Sequence, residues 1–142
     1  MTVIVWDGTS LAADRRSTRG GTVYLVRKVH RVGNLLIGLT GGTDFASELL
    51  AWIERGRRVE DWPANQKHDD YAVALMIDGG RTFTYDRSPY PVELFGPHIA
   101  LGAGREVALG ALWMGATAKQ AVLAACDWCD SCGNGVDVLE LA

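Results

Sequence analysis

Cysteine is scarce and odd in number. The 142-residue chain has three, Cys126, Cys129 and Cys132, all in one short stretch. Such a count and placement exclude the disulfide framework of a small secreted domain. No apolar run approaches the ~18 residues of a membrane span, and mean hydropathy is only +0.04. Basic charge is not in excess: 14 Lys/Arg face 17 Asp/Glu, for a net charge of -3. That balance argues against a dedicated nucleic-acid binder. The chain opens with neither a basic segment nor a signal-type apolar segment, so no export signal is expected and cytoplasm is the expected compartment. There is no internal repeat and no low-complexity tract.

What is present fits one globular domain, taken as residues 2–142. Apolar residues make up 48% and charged residues 22%. A chain of this length buries most of its unfolded surface and needs no covalent staple. The 17 glycines exceed the usual ~7% and imply tight turns and close backbone approaches. Charge is uneven: residues 1–60 sum to +3 and residues 61–142 to -6.

The patterning predicts Val3–Trp6 and Ser10–Ala13 as a hairpin across Asp7-Gly8. Thr22–His30 reads as one strand, and Leu35–Leu39 as a strand buried on both faces. Thr43 is the expected N-cap of a helix with Phe45, Leu49, Trp52 and Ile53 on one stripe, ending near Gly56. Residues 57–69 read as a loop with at most one helical turn, with His68 solvated in it. Tyr71–Ile77 and Arg81–Tyr85 form a second hairpin, Ser88–Pro91 is irregular, and His98–Leu101 is a short strand. A helix over Arg105–Met114 ends at Gly115. Thr117 and Gln120 form a capping box for the next helix, and Val136–Leu141 is the last strand. Strands in groups between helical segments favour α+β, with sheets covered by helices.

The chemistry begins at Thr2. As a first residue, after removal of Met1, it would carry a hydroxyl and an α-amine on adjacent carbons. An ordinary α-amine titrates near neutrality, so it can take the proton of its own hydroxyl. The strand from Thr2 returns to Asp14, and a later strand carries Lys28. An ammonium beside the hydroxyl lowers the cost of deprotonating it, and a carboxylate holds the ammonium in place. Gly41-Gly42, at a strand-to-helix junction, offers backbone N–H groups to an oxyanion.

These segments carry a family resemblance. Ala12-Ala13-Asp14-Arg15-Arg16-Ser17-Thr18 resembles the Ala-Ala-Asp-x-Arg-x-Thr segment of proteasome β subunits. Lys28-Val29 and Gly38-Leu39-Thr40-Gly41-Gly42-Thr43 are similar to their catalytic lysine-valine and their strand with its double glycine. Leu101-Gly102-Ala103-Gly104 and Asp130-Ser131-Cys132-Gly133-Asn134-Gly135 resemble two later family segments. The start, Met-Thr, is similar to the bacterial HslV peptidase. The resemblance implies an N-terminal nucleophile hydrolase with a four-layer αββα sandwich, here with a reduced helical layer. It implies Thr2 as nucleophile and base, Asp14 and Lys28 as polarising pair, the Gly41 N–H as oxyanion donor and Asp130 as orienter of the amine. Thr18 would bind substrate backbone, and Val26, His30 and Leu39 would line the first specificity pocket. It further implies a peptide or unfolded-protein substrate, a homo-oligomer as ring or open assembly, and an ATP-dependent unfoldase as partner.

Two other readings stand beside it. Ala103 and Gly133 occupy positions where the family has serine, which points to a non-catalytic assembly subunit of the same fold. Cys126, Cys129 and Cys132 make Cys-x-x-Cys-x-x-Cys, a spacing that can hold zinc or an iron–sulfur cluster if a fourth ligand such as His30 or His98 joins. The leading reading needs no cofactor and no metal. Gly102-x-Gly104 lacks the rest of a dinucleotide fingerprint.

Overall fold

The computed structural model of the chain describes residues 2–63 and 72–141. In chain order its first elements are β1 (Val3–Trp6), β2 (Ser10–Asp14), β3 (Arg16–Arg19), β4 (Thr22–Leu25), β5 (Val29–Val32), β6 (Leu35–Thr40) and α1 (Thr43–Glu54). Then follow β7 (Val73–Asp78), β8 (Arg81–Tyr85), β9 (Val92–Leu94), β10 (Ile99–Gly102), α2 (Arg105–Trp113), α3 (Ala118–Trp128) and β11 (Val136–Glu140). A single 3₁₀ turn, Val59–Asp61, lies within the predicted loop. The rest of that loop, with His68 and the predicted strand residue Tyr71, lies largely outside the described residues.

Two antiparallel sheets carry the architecture. One has the order β10-β1-β2-β11, the other β5-β6-β7-β8-β9. Side chains alternate between faces along a strand, and each face finds a separate core. Ile4, Trp6, Leu11 and Ala13 of the first sheet pack on Val29, Leu36, Leu75 and Ile77 of the second. The opposite faces of the same strands bury against helices. Val3, Val5 and Ala12 meet Ala108, Leu112, Ala121, Val122 and Ala125 of α2 and α3. Ile37, Leu39, Ala74 and Met76 meet Leu49, Trp52 and Ile53 of α1. The layers are therefore helices, sheet, sheet, helix, as the resemblance implies.

Several elements differ from the sequence pattern. The predicted strand Thr22–His30 is two strands, β4 and β5, with Val26–Lys28 between them outside any strand. Tertiary bonds take that joint: the Val26 N–H donates to Arg15 O at 2.9 Å, and Lys28 O accepts from Leu39 N at 2.9 Å. β4 instead pairs with β3 in a separate hairpin, Arg16↔Leu25 to Arg19↔Thr22. β3 gave no apolar alternation because its residues are polar and half exposed or exposed. The N-cap of α1 is Gly42, with Thr43 as first helical residue. The Thr43 hydroxyl is engaged elsewhere, accepting from Arg19 Nη2 at 2.9 Å. β9 follows the irregular proline stretch as a short edge strand, tied to β8 by Arg81–Glu93 bonds of 2.8 and 2.9 Å. The capping box of α3 is present as predicted, with Gln120 N donating to Thr117 Oγ1 and Thr117 N to the Gln120 side chain.

Candidate active site

Thr2 precedes β1 and is only 5% exposed. Its carbonyl accepts from Gly104 N at 3.2 Å. Gly102, at the end of β10, turns with φ +95°, and a Cβ there would lie 2.1 Å from Thr2 O. Only glycine lets the strand end approach so closely. Gly102 at the end of β10 and Gly104 just beyond it therefore fix where Thr2 sits.

Asp14 ends β2 and is fully buried. Its carboxylate is saturated with donors. Val3 N at 3.1 Å and Lys28 Nζ at 2.8 Å donate to Oδ1, while Arg16 N at 3.3 Å and Gly133 N at 3.0 Å donate to Oδ2. Lys28, 6% exposed, also donates to Arg16 O at 2.6 Å. The joint between β4 and β5 is what turns Lys28 inward. A buried charge of either sign is costly unless paired and hydrogen-bonded; here both conditions hold. Among the described residues, no buried side-chain nitrogen or oxygen lacks a partner.

Thr2 and Lys28 share a cavity of about 120 Å³. Val26, His30, Leu39 and Gly41 also line it, so six of the sequence-predicted residues meet there, with Asp14 bonded directly behind Lys28. Gly41 adopts φ +95° at the end of β6, where the chain turns into α1. His30 is half-buried, and burial pushes its imidazole below the ordinary value, against a hydrogen bond to the Arg27 backbone. Thr18 and Asp130 are not in this wall. Thr18 is exposed on β3, and Asp130 is exposed, with its main-chain carbonyl accepting from Arg16 Nη1 at 2.7 Å.

Sequence reasoning missed part of the wall. Thr43, Ala46, Ser47 and Leu50 form one side of it. Their spacing is that of a single helix face, adjacent to the apolar stripe of α1, so the signal was there once the helix was placed. Arg16 and Ser17 also line the cavity. Both stood inside the quoted Ala-Ala-Asp-x-Arg-x-Thr segment without a role. Arg16 also donates from Nε to Asn134 Oδ1 at 2.7 Å, so it ties the β2–β3 joint to the segment before β11.

The three cysteines are free thiols. Burial pushes Cys132 up to about 12, with the Asp14 charge adding to it. Burial raises Cys126 as well. Among the described residues, no group of three or more His, Cys, Asp or Glu is placed to hold a metal ion, so the metal reading finds no cluster to rest on.

Two face-to-face sheets sheathed by helices are the fold seen in solved structures of the proteasome-like and HslV type. The chain is similar over its full length to BPH from Thiobacillus denitrificans. The complex of that protein with epoxomicin superposes with a TM-score of 0.75 at 22% identity, covering 100% of both chains. BPH alone gives 0.73 at 23%, covering 100% of this chain and 99% of the other. HslV from Trypanosoma brucei gives 0.71 at 19%, covering 97% of each. No protein-family model and no curated protein matches the chain in sequence. At these identities the likeness is one of fold.

Proposed function

We propose that the chain is a threonine-type N-terminal nucleophile amide hydrolase acting on peptides. The observation that carries the reading is the convergence of Thr2 and Lys28 on one cavity, with Lys28 held by buried Asp14. With Met1 removed, the Thr2 amine accepts the proton of Thr2 Oγ, and the oxygen attacks the scissile carbonyl. The Lys28 ammonium favours the alkoxide electrostatically. The Gly41 N–H is the donor assigned to the oxyanion. Proton return to the leaving amine gives an ester on Thr2. Water activated by the Thr2 amine then releases the acid and restores the hydroxyl. Val26, His30 and Leu39 receive the side chain preceding the cleaved bond, and Thr18, on the neighbouring β3, takes substrate backbone; Asp130, which lies outside the cavity wall, steadies the amine only if its side chain swings in when substrate binds. The active unit is one domain, residues 2–142, in a cytoplasmic homo-oligomer, fed by an ATP-dependent unfoldase if the assembly closes into a ring around the site.

The test is covalent labelling. A β-lactone should add its mass to Thr2 in protein lacking Met1, and epoxomicin, bound in one BPH structure, is the second reagent. Thr2→Ala should abolish both labelling and peptide cleavage with the fold intact by circular dichroism; cleavage unchanged in that variant would refute the assignment. A second reading, a non-catalytic assembly subunit, is favoured by Ala103 and by the exposed Asp130 side chain. Protein that lacks Met1 yet takes no label would decide for it.

A further inference from the structure

The cysteine segment lies against the candidate site rather than apart from it. After α3 the chain makes a tight turn in which Cys132 N donates to Cys129 O at 3.1 Å. Cys129 and Cys132 are therefore the first and fourth residues of a β-turn, whose ends lie within ~7 Å Cα to Cα. A disulfide needs Cα atoms about 4.4–6.8 Å apart. Cys129 is half-buried and Cys132 buried, so of the two residues Cys129 is the more exposed to a reagent in solvent.

The same turn touches the site at three points. Gly133 N, the amide directly after Cys132, donates to Asp14 Oδ2 at 3.0 Å. Asp130 O, inside the turn, accepts from Arg16 of the cavity wall at 2.7 Å. Cys132 Sγ packs 3.0 Å from where a Cβ on Gly104 would sit, and Gly104 N holds the Thr2 carbonyl. All three contacts lie in or directly beside the turn that a Cys129–Cys132 link would close.

We propose that Cys129 and Cys132 are a redox-active dithiol that closes to a disulfide across this turn and thereby slackens the support of Asp14 and Thr2. The oxidant is a small-molecule disulfide. The Cys129 thiolate attacks it, forming a mixed disulfide and releasing one thiolate. Cys132, losing its proton to solvent, attacks the Cys129 sulfur, forms the intramolecular S–S bond and expels the second thiolate. The small disulfide is reduced to two thiols as the protein dithiol is oxidised. The buried thiol, pushed up to about 12, makes this second step slow.

The linkage is independent of the proposed hydrolase activity, whereas its effect on labelling rests on that activity. Protein incubated with glutathione disulfide should lose two hydrogens in intact mass, with fragmentation placing the link between Cys129 and Cys132, and dithiothreitol should reverse it. Cys129→Ser, at the half-buried position, should prevent the link while keeping the melting temperature of the reduced wild type. A glutathione adduct at Cys129 that never resolves, a link through Cys126, or an unchanged thiol count overturns the proposal. In oxidised wild type, β-lactone addition to Thr2 should slow about tenfold, the effect of weakening one hydrogen bond to a charged group, and Cys129→Ser should not respond. Equal labelling of both forms overturns the coupling. Labelling of neither form overturns the threonine nucleophile and the coupling with it, while the mass result still decides the dithiol.

Discussion

At the scale of single residues, the Asp14–Lys28 pair is the most consequential feature. Its N···O distance is 2.8 Å, with both side chains almost wholly out of solvent. Removing one member of such a pair leaves the other charge buried and uncompensated. Lys28→Met keeps most of the volume and deletes only the ammonium. Asp14 then retains Val3, Arg16 and Gly133 N–H donors, which offset part of the loss. We expect Lys28→Met to destabilise by about 3 kcal/mol, the low end for a broken buried pair, measured as a shift in the urea midpoint at unchanged slope. Labelling of Thr2 should fall with it. Asp14→Asn combined with Lys28→Met should cost less than the two single changes summed, because the double variant leaves no orphan charge. Asp14 and Lys28 were legible in the sequence as chemistry, since an acid and an amine near a threonine suit one mechanism. Their burial and the Gly133 bond were not legible, because the first depends on the joint between β4 and β5 and the second on how the segment before β11 folds back over β2.

At the scale of elements, what the sequence showed and what it hid divide along local and tertiary control. The α3 capping box needed only Thr117 and Gln120 and was readable. The break between β4 and β5 was hidden, because Thr22–His30 is continuous in β propensity and only the bonds to Arg15 and Leu39 interrupt it. A similar tertiary tie holds the start of α3. Asp7, in the β1–β2 turn, accepts from Thr9 N, Thr9 Oγ1 and Ser10 N through Oδ1, and from Ala118 N through Oδ2 at 2.7 Å. Burial pushes its carboxyl up, but these bonds outweigh it and hold the group below its ordinary value of 3.8. A depressed folded-state value stabilises the fold above the unfolded value and loses that support as pH falls through the folded one. The wild type should therefore lose stability from about pH 4 downward. Asp7→Asn should flatten that part of the urea-midpoint profile and cost about 1 kcal/mol at pH 7, as a weakened cap does. An acid limb identical in wild type and variant would assign the loss to other carboxylates.

At the scale of the whole molecule, the candidate site straddles the seam between the sheets. Thr2 leads into β1 of one sheet, while Lys28 and Gly41 bracket β5 and β6 of the other. The distance between sheets thus sets the distance between the groups of the proposed mechanism. Gly38 of β6 lies directly against the first sheet: a Cβ there would lie 2.7 Å from Ile4 Cγ2. Ile4 is two residues past Thr2, and Gly38 pairs with Val29, the neighbour of Lys28. Gly38→Ala should therefore pry Thr2 from Lys28 without altering either. Overpacking a filled core costs about 1–3 kcal/mol, to be read from the urea midpoint, and Thr2 labelling should fall by more than a stability loss of that size explains, since nearly all molecules stay folded. Ile4→Ala alone opens a cavity and costs about 2–5 kcal/mol. Combined with Gly38→Ala it removes the clashing methyl and makes room for the new one, so the pair should be more stable than the sum of its parts and should recover labelling. Strict additivity in that cycle, or labelling untouched by Gly38→Ala, would show that the seam does not govern the site.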